Sequence, residues 1–183
     1  MDIAVILMRC RNGDPLAWEA LVRQYQSRIY GIAFHYLANA EDARDLAQEI
    51  FVRVYQNLGA CTDVDAFLPW MIRIARNAAI DHLRRRKARA HDRRVALDQV
   101  ADLADQRPSP EEASMAGSRK RLIHRALQEL SELNREIILL KEIHGLQLDE
   151  IASLLDIPLG TAKSRSNRAR IELARKVMAL SSE

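Results

Sequence analysis

The sequence predicts an all-α protein: two small helical domains joined by a flexible linker, the C-terminal one a helix-turn-helix. Three observations predict this. Apolar residues recur every three or four positions along most of the 183 residues, no segment alternates as a strand does, and aromatics make up only 5%. The tract 98–118, DQVADLADQRPSPEEASMAGS, is acidic, holds Pro108 and Pro110, and lacks an apolar stripe. Residues 148–170, LDEIASLLDIPLGTAKSRSNRAR, stop one amphipathic segment at Asp156-Ile157-Pro158 and restart with a basic row.

The elements follow in order. MDIAVILMRCRNGD is apolar, but an acid precedes the run and no cleavage pattern follows, so a first helix is expected rather than a signal peptide. Asp14-Pro15 is a helix start, an N-cap followed by Pro at the first helical position. Leu21, Tyr25, Ile29, Ile32, Ala33 and Tyr36 then recur at helical spacing. Asn39 or Glu41 opens the next helix, whose apolar stripe is Ala43, Leu46, Ala47, Ile50, Phe51, Val54, Tyr55 and Leu58. After GACTDVD a further helix is expected, capped by Asp65, with Pro69 tolerated in its first turn. Phe67, Trp70, Met71, Ile74, Ala75, Ala78 and Leu83 form its apolar side, and it runs into the basic block RRRKARAHDRR at 84–94. Beyond the linker, a helix is expected over 121–130 and another over 135–143, the latter preceded by Ser131 as a cap and ended by Gly145.

Composition excludes several classes. A hydrophobic fraction of 48% suits one domain or two small ones with modest cores. Lys plus Arg is 28 against 25 for Asp plus Glu, a net +3, so the placement of charge says more than its sum. Cys10 and Cys61 stand alone, without metal-ligand spacing, and read as reduced thiols. No apolar run reaches membrane-spanning length, so no membrane insertion is expected. The five His are scattered, and neither a Gly-rich phosphate loop nor a nucleophile–base pair is evident; no catalytic residue, cofactor or metal is expected.

The broken segment near the C-terminus has a physical purpose. Asp tolerates left-handed backbone better than most residues, so Asp156 suits the exit from the first helix, and Pro158 blocks its continuation. Ile151, Leu154, Leu155 and Ile157 can bury, and Ala152 is small enough for a helix crossing. The second helix starts near Gly160-Thr161, where free backbone N–H groups suit a phosphate. Lys163, Ser164, Asn167 and Arg168 share one face, and Arg and Asn can pair bidentately with base edges, whereas Ala162, Ala169 and Leu173 point towards a core. A solvated basic face on an ordinary helical hairpin is the plainer alternative.

Three stretches in order, DARDLAQEIFVRVY, FLPWMIRIARNAAIDHLRRRKAR and LQLDEIASLLDIPLGTAKSRSNRARIELARK, resemble the second and fourth conserved regions of the bacterial extracytoplasmic-function (ECF) sigma factors, group 4 of the sigma-70 family. The likeness spans nearly all of residues 14–177 outside the linker. It implies a region 2 domain at 1–95, a linker at 96–118 and a region 4 domain at 119–183. It implies a non-enzymatic transcription initiation factor that binds core RNA polymerase and promoter DNA, and a cytoplasmic location. Asp45, Gln48, Glu49 and Arg53 would meet the coiled-coil of the largest polymerase subunit, with the flap as a further polymerase contact. Read without the resemblance, they are an ordinary polar helix face. The −10 element would be read as melted strand by a pocket of Cys61, Ile74 and Asn77, with the loop 58–65 around it, while Arg73, Arg76, Arg84, Arg85 and Arg86 hold phosphates. The −35 element would be read as duplex by Lys163, Ser164, Asn167 and Arg168, with Gly160, Thr161, Arg165 and Arg170 on its backbone. An anti-sigma factor is the further partner implied, one able to hold the protein at the membrane.

Four departures from the family pattern stand out. Cys61 replaces the usual aromatic pocket wall, and Asp63 and Asp65 add negative charge near DNA. Ala162 and Ser166 occupy positions where larger apolar residues are common, and Ser131 replaces a frequent Pro. The competing reading is a stand-alone dimeric helix-turn-helix regulator, with a sensing or dimerising N-terminal domain that would not need the basic helix running into 84–94.

Overall fold

The computed structural model describes residues 2–96 and 115–181, with side chains described for 2–88 and 122–181. Most of the expected linker, 97–114, lies outside the described residues, as do the side chains of 89–94 in the basic block. The chain divides into two compact units, Met1–Ala104 and Asp105–Glu183. The described residues form helices without strands.

The first unit holds α1 (Ile3–Arg11), α2 (Pro15–Leu37), α3 (Ala40–Asn57), a short 3-10 turn (Leu58–Ala60) and α4 (Phe67–Ala96). Its corners are built from local chemistry. Gly13, at φ +78, ends α1; its N–H reaches the Cys10 carbonyl at 3.0 Å and that of Asp14 reaches the Arg9 carbonyl at 3.1 Å. The Asp14 carboxylate then caps α2, accepting from the N–H of Leu16 (2.9 Å) and Ala17 (3.3 Å), and also binds the Arg9 guanidinium at 2.7 Å. Pro15 follows at the first helical position, as expected. The next corner places Ala38 in left-handed backbone, φ 52, and Asn39 caps α3 through the N–H groups of Glu41 and Asp42.

α2 packs on α1, α3 and α4. Leu21, Ile29, Ala33, Ala43, Ile50, Val54, Met71, Ile72 and Ala75 are all fully buried. Two expectations shift. Tyr55, placed in the α3 stripe, is 56% exposed and meets Trp18 edge-on at 5.0 Å, because its phenol keeps the polar tip in water. On α4 the buried face is Phe67, Met71, Ile72, Ala75, Ala78 and Ala79, while Trp70, Ile74 and Leu83 are only half-buried. A helix wedged against both α2 and α3 buries a wider arc than a single stripe, which brings in Ile72 and Ala79.

The second unit holds α5 (Met115–Gln128), α6 (Glu132–Ile138), a π turn (Leu139–Ile143), α7 (Leu148–Leu155) and α8 (Leu159–Ser181). Leu127, Leu130, Ile138, Leu139 and Ala169 form a buried cluster, with Leu173 packed against it. Ser131 stands at the N-cap of α6 but makes no side-chain capping bond. The contact at this corner comes instead from Arg135, which donates to the carbonyls of Leu127 (2.9 Å), Gln128 (2.8 Å) and Leu130 (3.1 Å) and so closes the end of α5. Gly145, at φ +74, ends the π turn as expected, its N–H on the Lys141 carbonyl and that of Leu146 on the Leu140 carbonyl.

The Arg9 guanidinium and the two capping N–H groups hold the Asp14 carboxyl below the usual carboxylate range. A depressed folded-state value contributes stability that is complete above the unfolded value and disappears as pH falls through the folded one. Asp14→Ala is therefore expected to lower the melting temperature at pH 7, and the gap from the parent should shrink as pH falls below about 4. Thermal melts of both proteins between pH 2.5 and 7 check this; a gap that stays constant refutes the assignment.

Candidate nucleic-acid interface

The loop from 58 to 66 is organised by short-range bonds. The Cys61 N–H reaches the Leu58 carbonyl at 3.3 Å, and the Cys61 thiol donates to the Asp63 carbonyl at 3.3 Å. The Asp65 N–H donates to the Asp63 carboxylate at 2.9 Å, and the Phe67 N–H to the Val64 carbonyl at 3.1 Å. The expected Asp65 cap is thus corrected: α4 begins two residues later, at Phe67, and Asp63 is the acid whose carboxylate organises the turn. Cys61, expected as a pocket wall, is 4% exposed, and burial pushes its thiol pKa up, partly opposed by the Arg11 charge. Burial likewise raises the Cys10 thiol. Both are poor nucleophiles as they stand.

On α4, Arg73 and Asn77 are exposed, with Ile74 and Arg76 half-buried beside them. Ile74 and Asn77 are three residues apart on one edge, an apolar patch beside an amide. One turn and more further on, Arg84, Arg85 and Arg86 are exposed; Arg84 lies 3.7 Å from Asp81 and Arg86 3.9 Å from Asp42. Surface pairs this long contribute ~0–1 kcal/mol and yield readily to a phosphate.

On α3, Asp45, Gln48 and Glu49 are exposed and Arg53 is half-buried, ion-paired with Glu49 at 2.5 Å. The same strip carries Val52, 54% exposed, which the sequence reading passed over. Its position seven residues after Asp45 was the available signal.

The C-terminal turn matches its expected backbone, and Ile151 and Ala152 bury, while Leu154, Leu155 and Ile157 are only half-buried. Asp156 adopts φ 53, ψ 51; its N–H and that of Ile157 both reach the Ala152 carbonyl. Upstream, the Gln147 N–H donates to the Glu150 carboxylate at 2.6 Å and fixes the start of α7. α8 starts at Leu159, with the Ala162 N–H on the Pro158 carbonyl, so Gly160 and Thr161 lie in its first turn, where N–H groups lack intrahelical partners. Ala162, Ser166 and Ala169 are buried on one stripe. Lys163, Ser164, Asn167 and Arg168 face out together, and Lys163, Asn167 and Arg168 have no hydrogen bond or ion pair among the described residues. Ser164 donates to the Thr161 carbonyl at 3.1 Å, and Arg170 pairs with Glu142 at 2.9 Å, so both are engaged within the unit. Arg165 is half-buried beside the stripe.

Fold and donor row define a class: a DNA-binding protein of helix-turn-helix type with a second helical module before it. Residues 21–89 match the family model for sigma-70 region 2, and residues 120–173 that for sigma-70 region 4. The chain is 34% identical to the RNA polymerase sigma-H factor of Pseudomonas aeruginosa, over 90% of this chain and 88% of that one. It is 32% identical to the ECF RNA polymerase sigma factor SigW of Bacillus subtilis, over 97% of each. With the ECF RNA polymerase sigma-E factor of Escherichia coli K12 the identity is 30%, over 96% of this chain and 94% of that one. Among solved structures, CnrH in complex with the cytosolic domain of CnrY has the same fold, with a TM-score of 0.65, 22% identity and 96% of each chain covered. So does the sigma factor RpoE in complex with the anti-sigma factor NepR from Bartonella quintana, with a TM-score of 0.65, 20% identity, and 87% of this chain and 96% of that one covered. The chain belongs to the sigma-70 family of RNA polymerase sigma factors, within its ECF group.

The Ser166 hydroxyl, 2% exposed, has no hydrogen-bond partner. An unsatisfied buried hydroxyl costs free energy that a methyl of similar size does not. Ser166→Ala is expected to stabilise the second unit by ~1 kcal/mol in urea unfolding of the full chain. A destabilised variant would show that the hydroxyl is satisfied in solution.

Proposed function

We propose that this chain is a promoter-specificity subunit: it binds core RNA polymerase, reads a −10 element as melted strand with the first unit and a −35 element as duplex with the second. The single observation that carries the reading is the outward row of Lys163, Asn167 and Arg168, held unpaired opposite the buried stripe of α8, in a chain that also matches region 2. In this reading Ser164 joins that row, while Gly160, Thr161, Arg165 and Arg170 hold the −35 backbone. Ile74 and Asn77 offer an apolar wall and an amide to an unstacked base, with Cys61 buried within the loop that precedes them in sequence. Arg73, Arg76, Arg84, Arg85 and Arg86 supply the sequence-blind phosphate term. Asp45, Gln48, Glu49, Val52 and Arg53 dock on the polymerase coiled-coil, and exposed Ile171 and Met178 offer the second unit an apolar contact for the flap. The expected domain limits of 1–95 and 119–183 carry these roles.

RpoE and CnrH are each solved with a protein partner, and an anti-sigma factor is the corresponding partner proposed here. No described helix is long and apolar enough to cross a membrane. We place the protein in the cytoplasm, with any membrane attachment supplied by that partner. Transcription initiation needs no chemistry from the chain itself, and none of the proposed roles is catalytic. A stand-alone dimeric regulator is not favoured, since it leaves the region 2 match unexplained.

Two contacts on one tether reinforce each other once polymerase fixes their spacing. The free protein is therefore expected to bind promoter DNA weakly, and transcription in vitro with purified core polymerase and a genomic library to give discrete start sites. Tight sequence-specific binding by the free chain, or initiation that is the same without it, overturns the reading. Within holoenzyme, Arg168→Ala should cost ~1–3 kcal/mol of discrimination at one −35 base pair and nothing where that base pair is already substituted. Arg165→Ala should weaken all −35 sequences alike and lower the salt slope by about one.

A further inference from the structure

The loop from 58 to 66 has one described long-range polar tether, and it comes from outside the matched region. The Arg11 guanidinium, in the last turn of α1, donates to the Cys61 carbonyl, fifty residues away in sequence. The region 2 match begins at residue 21, beyond α1. Every other hydrogen bond described in the loop runs within a few residues: Leu58 to Tyr55, Cys61 to Leu58, Cys61 to Asp63, Asp65 to Asp63, Phe67 to Val64 and Trp70 to Ala66. Such bonds set the shape of a loop and leave its orientation to something else.

The base of the tether is rigid. Ile6, Leu7 and Cys10 bury α1 against the first unit. Arg9 is locked to Asp14, which caps α2, and the Gly13 corner carries two further backbone bonds. Arg11 is thereby aimed from a fixed corner. An arginine fork can hold a carbonyl at the end of a long side chain without the neighbouring backbone coming close.

We propose that Arg11 is a positioning residue for −10 recognition: α1, through Arg11 and the Cys61 carbonyl, sets the orientation of the loop from 58 to 66, which in the function proposed above works together with Ile74 and Asn77. The inference rests on the promoter-reading function proposed above and adds to it a residue outside both matched regions. Arg11 touches no base; it acts through the backbone of the loop. A charge-assisted bond to a carbonyl is strong enough that its loss loosens the loop about ten-fold.

The test uses the full chain with Arg11→Met, which keeps the aliphatic stem, and Arg11→Lys, which keeps a charge and a donor. Hydrogen exchange on the free proteins reads the tether directly. Arg11→Met should speed exchange in residues 58–66 about ten-fold while α2 and α3 stay as in the parent, and Arg11→Lys should fall between. In holoenzyme, a library with a randomised −10 element and a fixed −35 element should show the −10 preference of Arg11→Met flattened about ten-fold. Core association and −35 discrimination should be unchanged. Unchanged exchange in the loop overturns the proposal. So does faster exchange throughout the unit with core association lost in step, which marks a merely structural residue. A loosened loop with an intact −10 preference overturns it as well. If the parent holoenzyme itself shows no −10 preference, the promoter-reading function fails and the specificity role of Arg11 falls with it, while exchange still decides whether Arg11 holds the loop.

Discussion

Everything the second unit does depends on how closely α8 can approach its neighbours. Ala162, Ser166 and Ala169 lie four and three residues apart, so they form one stripe, and all three are buried. Small side chains there let α5, α6 and α7 all reach α8. A helix has a single rotation, so burying this stripe leaves Lys163, Asn167 and Arg168 no direction but outward. Around it lie lesser restraints: Arg170 with Glu142, Glu172 with Asn134, and Lys176 with Glu129. The two exposed ion pairs, at Arg170 and Lys176, contribute ~0–1 kcal/mol each. They tune the rotation that the small residues decide. The departure from larger apolar residues at Ala162 and Ser166 therefore gives a closer crossing, at the cost of one unsatisfied hydroxyl.

The first unit solves the same orientation problem at its corners. At Gly13-Asp14 and again at Ala38-Asn39, a residue in left-handed backbone ends one helix and the next residue caps the following one. Ala38 does this without glycine, at a cost of roughly 1–2 kcal/mol, and the Asn39 cap offsets about 1 kcal/mol of it. Corners this short leave little freedom in where a helix begins. The start of α3 fixes which of its residues look outward, and hence that Asp45, Gln48, Glu49 and Val52 share one exposed strip.

The helices, the Asp14 and Asn39 caps, the Gly145 stop and the left-handed Asp156 were all legible in the sequence, because each is local chemistry within a few residues. The misreadings have a common cause in what is not local. Tyr55 looks like core from periodicity, yet it is more than half exposed, since an apolar residue at the margin of a stripe can face either way. Ile72 and Ala79 were missed because α4 is covered from two sides, and the width of its buried arc depends on partners that spacing does not reveal. Arg135 read as the first residue of a helix and is instead the clamp on the end of another. The reach of Arg11 to Cys61 has no pattern in the sequence at all, since only the folded corner brings those residues together.

That same contact bears on the acids near the loop. Asp63 and Asp65 are a poor choice beside DNA if both carboxylates face the strand. In the fold, the Asp63 carboxylate is engaged by the Asp65 N–H, and the Asp63 carbonyl by the Cys61 thiol, so one of the two acids is part of the scaffold. The positive charge sits elsewhere, on Arg73, Arg76 and Arg84 to Arg86 of α4. Screening limits such charges to a reach of about 8–10 Å in physiological salt. In the proposed reading, attraction to the strand and shape around a base thus fall to different elements. A loop freed from supplying attraction can be built from short internal bonds and a single tether, and its geometry can then change without changing how strongly the helix beside it holds phosphate. For a protein proposed to choose among promoters, that separation lets selectivity be adjusted at the loop while affinity stays with the helix and the polymerase.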